Sequence, residues 1–238
     1  MSEALVRDLS HGLMSDFTDT EYPSLVYGID NGDPIVLTNS GTLFGFVWTG
    51  SLSVHADDTK YEINAFHYFS IPFGERVVLS GSARGFFVVR QGYRGLPSVG
   101  GPVESKGRLR YIDGCSDTLL ISPVVKGDPC FNLLHFPAGI DQTKHTHPTI
   151  RAGLVHGGEG RCLTASGVED LKPGRMFILY PDAIHAFSTE GYEGMNLTVF
   201  HPDSDFGPSH EEHPMLNRTI VDGVSARHID EIRTKELT

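Results

Sequence analysis

Cations are scarce in this chain. Its 238 residues hold 19 lysines and arginines against 30 aspartates and glutamates, a formal charge of -11. A phosphate backbone would meet net repulsion over most of such a surface, which argues against nucleic acid as a partner but leaves room for a local basic pocket for a small anion. Cysteine is scarce too. Cys115, Cys130 and Cys162 are odd in number and far apart, so neither a disulfide framework nor a compact zinc knuckle is indicated and buried thiols are expected. Cys162 follows a glycine-rich turn and is expected to face an interior. No window approaches the roughly 20 apolar residues of a membrane span, and Met1-Ser2-Glu3-Ala4 does not open a basic-then-apolar leader, so the expected place is the cytoplasm, away from any membrane.

What is abundant points to short strands and tight turns. Glycine at 27, proline at 14 and phenylalanine at 14 accompany apolar runs bounded by Gly, Pro, Asn, Asp or Ser. Leu43-Phe44-Gly45-Phe46-Val47-Trp48, Gly85-Phe86-Phe87-Val88-Val89, Phe131-Asn132-Leu133-Leu134-His135-Phe136 and Met195-Asn196-Leu197-Thr198-Val199-Phe200 are examples. An all-β chain of antiparallel barrels or sandwiches is predicted.

The runs fall into two series. Gly50 and Gly158, Pro72 and Tyr180, and Val77 and His185 all lie 108 residues apart, which suggests two copies of one β unit. The predicted organisation is an N-terminal arm over 1–30, a first unit over 31–105, a second over 106–205 and a tail over 206–238. In that tail, Ser225 to Leu237 has the spacing of a short helix, with Ile229 and Ile232 on one side.

His145-Thr146-His147 sets two imidazoles two residues apart, and on a strand both would face the same way. Gly139 precedes them, and Arg151 and Gly158 follow. Further on, Gly174 leads through an apolar strand to Tyr180, Asp182 and His185. These spacings resemble the two motifs of the cupin superfamily, with arginine at 151 in place of the usual glutamate ligand and with the inner glycine of the second motif replaced by Asp182. The motifs span residues 139 to 185, and the weaker repeat over about 35 to 90 extends the likeness over most of the chain.

The resemblance implies an all-β bicupin of double-stranded β-helix, or jelly-roll, barrels in which His145, His147 and His185 hold a divalent metal. Neutral imidazoles suit Fe(II) and also Mn, Ni, Zn or Cu, and three of them leave positions open. At the matching positions of the first unit stand Leu37, Asn39 and Val77, so that unit is expected to be metal-free. Arg151 shares the strand parity of the histidines and is expected to point inward and grip an anionic substrate in a bidentate fork. Tyr180 is expected beside the barrel mouth, where it would hydrogen-bond substrate or pack as an aromatic. Asp141 and Asp182 stand as acid or base candidates near the opening, and His156 as a packed or supporting histidine. His201, His210 and His213 are expected to be solvated loop histidines. The reading that follows is a non-haem Fe(II) dioxygenase acting on a small anionic or enolisable metabolite. A metal-dependent isomerase or lyase, and a metabolite-binding or regulatory cupin without turnover, stand beside it, as does the choice between pairing of the units within a chain and across a homodimer.

Overall fold

The computed structural model describes residues 4–204, 207, 220–225 and 228–229, and nearly all of their regular structure is antiparallel strand. Among these residues the one helical element assigned with bounds is a single 3-10 turn, Ile112–Gly114, and no helix is long and apolar enough to cross a membrane. The all-β architecture expected from composition is the one observed.

Residues 12 to 100 build one set of strands. Its main sheet runs in the order Ser98–Gly100, His67–Phe73, Gly41–Ala56, Ala83–Gln91, Ser24–Asp30 and Gly12–Phe17, and Ile35–Leu37, Thr59–Asn64 and Val77–Ser80 pair off this path. Residues 109 to 201 build a second set. A seven-stranded sheet has the order Ala4–Asp8, Arg175–Leu179, Arg151–Gly158, Gly194–His201, Cys130–Pro137, Ser116–Ile121 and Leu109–Arg110, and a three-stranded sheet joins Gly167–Leu171, Gly160–Thr164 and His185–Ser188. The segment expected to be an arm is thus built into both sheets. Ala4 and Val6 turn toward the interior of the second half while Leu5 turns toward the first, and this alternation docks the strand against Arg175–Leu179. The stretch expected to be a helix, 225 to 237, lies almost wholly outside the described residues, and just before it Ile220–Val221 and Val224–Ser225 form a small hairpin.

The offset of 108 residues recurs in the packing. Gly45 lies against the ring of Phe69, and Gly153 against the ring of Phe177, at distances that leave no space for a Cβ. Gly50 and Gly158 both adopt positive φ, 77° and 65°, and face a backbone carbonyl, of Ser82 and Gly194 respectively. Just before each, the ladder to the neighbouring strand slips, between Val47 and Thr49 in one half and between Val155 and Gly157 in the other.

Burial on both faces explains the unbroken apolar runs. Phe87 and Val89 point into the first half's own core with Leu43 and Val47, while Phe86 and Val88 point the other way with Phe44 and Phe46. That second face meets Phe131, Ala152, Leu154, Met176, Ile178 and Phe200 from the second half, making a third core between the halves. Leu134, Phe136, Phe177, Leu179, Leu197 and Val199 fill the interior of the second half, at one end of which the histidines lie.

Candidate metal centre

His145, His147 and His185 come together from two segments. His185 opens the strand His185–Ser188, whereas His145 and His147 sit in a loop, not in the strand that their spacing predicts; only His145 makes a bridge, to His185. Pro148, which has no N–H to donate, stands directly after His147. Backbone pairing still fixes the loop. The N–H of each of His145 and His185 donates to the other's carbonyl at 3.0 Å, Asp182 N–H donates to His147 O at 2.8 Å, and Gln142 N–H donates to Phe187 O at 3.0 Å. Asp182, at the glycine position of the motif, has φ 60°, the left-handed region that aspartate tolerates better than most side chains.

The rings are 5.0 Å apart for His145 and His147, 4.4 Å for His145 and His185, and 5.1 Å for His147 and His185, measured between centroids. Each offers a nitrogen within 4.8 Å of the others, and this cluster contains no carboxylate. His145 Nδ1–H donates to Thr143 O and His185 Nδ1–H to Ala183 O, both at 2.9 Å. A carbonyl only accepts, so the proton must be on Nδ1 and the Nε2 lone pair is left for a ligand bond, the arrangement in which backbone partners orient metal-binding histidines. Burial, reinforced by Arg151 and the other two rings, holds His147 down at about 3, and burial holds His185 at about 4. Both are therefore neutral near pH 7, the form that binds metal. The donor set fits one divalent transition ion with positions left open.

Arg151, 6 % exposed, lines the same cavity from the strand Arg151–Gly158. Its Nη1 donates to Ile150 O at 2.8 Å and to Thr149 Oγ1, and stands 3.4 Å from Asp203 Oδ1. Part of the guanidinium is thus engaged by the protein. Tyr180 is not brought to the cavity: its ring packs edge-on against Phe17, centroids 4.9 Å apart, in the core between the halves. Asp141 and Asp182 are exposed and do not line the cavity. His156 packs between Phe46 and Phe66 with its Nε2 lacking a hydrogen bond, and burial pushes it down to about 4. Cys162 is buried in the interior of the second half, where burial pushes its thiol up to about 12.

His201 differs from expectation. It is the last residue of the strand Gly194–His201, not a solvated loop residue, and its ring lies 6.5 Å from that of His147 in the cavity wall. Burial, then Arg151 and His147, hold it neutral. Parity would have found it, because Met195, Leu197, Val199 and His201 alternate inward along that strand. Tyr111 and Gln142 also reach the cavity, and no periodic signal marks either. His210 and His213 lie outside the described residues. Phe177, Leu179 and Phe187 complete an apolar wall around about 20 Å³ of free space, room for one water.

The sequence model of the AraC-like ligand binding domain matches residues 138–214, the segment that carries all four cavity histidines. No curated protein matches the chain. Solved structures show the fold. Salicylate 1,2-dioxygenase from Pseudaminobacter salicylatoxidans superposes with a TM-score of 0.60 at 9% identity, covering 84% of each chain. Protein Ylba from E. coli gives 0.57 at 14% identity over 87% of this chain and 84% of its own. A cupin 2 conserved barrel domain protein from Leptotrichia buccalis gives 0.56 at 13% identity over 84% and 89%. The β-sheet topology is cupin-like, and it carries a cluster of three histidines able to coordinate a divalent metal.

Proposed function

We propose that this cupin-fold chain is a metal-dependent oxidoreductase, a non-haem Fe(II) dioxygenase that acts on a small anionic or enolisable organic molecule. The observation that carries the reading is the convergence of three imidazoles, Nε2 free on two of them by hydrogen bonding, with no carboxylate in the set. Three neutral ligands leave the charge of a divalent ion uncancelled, and Arg151 adds to the positive field, so a negative ligand is favoured at the open side. Iron held there supplies the one-electron chemistry toward oxygen that side chains lack; Mn, Ni, Zn and Cu suit the same donors. Arg151 orients the anionic end of the substrate through the part of its fork turned to the cavity, and the apolar wall of Phe177, Leu179 and Phe187 excludes water. The salicylate 1,2-dioxygenase among the similar structures acts on such an anion and lends the reading support. Tyr180, packed on Phe17, takes no part.

The repeat supports two cupin units in the chain, the first metal-free. Its counterparts of the three ligands are Leu37, Asn39 and Val77, which offer no metal-binding nitrogen or sulfur.

The match of residues 138–214 to a ligand-binding domain favours a second reading, a metabolite-binding cupin without turnover. The two are separated by purifying the protein with its native metal, analysing the metal, and screening small carboxylates, diketones and thiols with and without oxygen. Oxygen uptake that requires both Fe(II) and substrate supports the dioxygenase. Equal turnover without oxygen rejects it in favour of isomerisation or elimination, and tight binding without product rejects it in favour of a receptor.

A further inference from the structure

We infer that His201 is the group that recognises the far end of the ligand, hydrogen-bonding a second polar atom of a small carboxylate-bearing molecule whose first atom is held at the histidine cluster. The inference rests on the metal-binding reading and adds a residue to it. His201 and Val199 are two apart on one strand and both line the cavity, so the imidazole is directed inward by the alternation that buries Leu197 and Met195. The ring stands 6.5 Å from His147 and falls outside the cluster of nitrogens lying within 4.8 Å of one another. That is too far to complete the ligand set and near enough for one small molecule to span.

The His201 ring forms no hydrogen bond with any described residue, unlike His145 and His185, whose Nδ1 atoms are tied to carbonyls. The cavity lining is part apolar and part polar, and the partly exposed ring can offer a donor and an acceptor there to a ligand atom. Arg151 lines the same cavity, so the pair offers one cation and one neutral donor to the two ends of a carboxylate-bearing molecule.

The test uses the full-length protein loaded with Co(II), whose visible spectrum reports both metal content and anion binding. Azide, which carries an acceptor atom beyond the one bound to metal, is compared with chloride, which does not. The expected result for His201→Phe is one Co(II) per chain, azide affinity about 10-fold weaker and chloride affinity little changed, with His201→Gln recovering part of the loss. Equal azide affinity in wild type and His201→Phe overturns the inference, as does loss of Co(II), which would make His201 a ligand. If His201→Phe fails to fold, His201→Gln and His201→Asn carry the same comparison. A wild-type protein that takes up no Co(II) overturns the metal-binding reading itself, an outcome distinct from a change confined to azide.

Discussion

His145 and His185 face one another in an isolated antiparallel bridge, each N–H donating to the other's carbonyl at 3.0 Å. The residues 108 positions earlier, Leu37 and Val77, also pair antiparallel and are buried in the first half's core. One backbone register therefore carries two imidazoles in one half and two hydrocarbons in the other, and side-chain chemistry alone decides which can hold an ion.

Replacing any one of His145, His147 and His185 with alanine is expected to drop bound metal well below one ion per chain, while H210A or H213A leaves it unchanged. Elemental analysis after dialysis against Fe(II) or Zn(II) measures it. Unaltered metal content in the first three variants would reject the site.

Arg151, buried, and Asp203, partly buried, form an ion pair, 7 % and 13 % exposed at the side chain. R151A leaves Asp203 without that charge, so the expected loss is roughly 1 to 3 kcal/mol of stability, read from urea unfolding. R151A/D203N should recover much of it. In the double variant, metal content should hold while affinity for an anionic ligand falls about 10-fold to 100-fold, and R151K, which keeps the charge but not the planar fork, should restore only part of that affinity. Unchanged anion affinity would place Arg151 outside the recognition of substrate.

Gly153 lies beneath the ring of Phe177, and a Cβ there would also crowd the carbonyl of Thr198. G153A should cost about 1 to 3 kcal/mol, seen as a lower urea midpoint at unchanged slope. G45A, at the equivalent contact with Phe69, should behave alike. A neutral effect at both would show that the rings yield easily.

Asp117 is buried, and desolvation lifts its carboxyl to about 6 despite hydrogen bonds from Asn132. Because the folded value exceeds the unfolded one, the folded chain holds the proton longer, and stability falls as pH rises from about 4 to about 6 and then levels. D117N removes this penalty. Relative to wild type it should gain up to roughly 3 kcal/mol between pH 4 and pH 7, measured as the difference in unfolding free energy. A difference independent of pH would sink the assignment.

Much of this protein is determined by local sequence. Turn residues and short apolar runs specify antiparallel strands, because these features depend on neighbours along the chain, and the spacing of Gly139, His145, His147 and His185 marks the histidines that cluster. The 108-residue offset likewise locates the glycine bulges at Gly50 and Gly158. Tertiary structure decided the rest. Tyr180 is one residue past Leu179, and strand parity sends Leu179 to the cavity and Tyr180 to Phe17. Tyr111 and Gln142 reach the cavity from a turn and a loop whose positions are set by distant partners, as Asp113 is set by Thr143 and Gln142 by Phe187. His201 was legible only by counting alternate residues along its strand, since composition around His201-Pro202-Asp203 reads as loop. Pairing of Ala4–Asp8 with Arg175–Leu179 joins residues some 170 positions apart, and no local pattern encodes the edge on which a strand will dock.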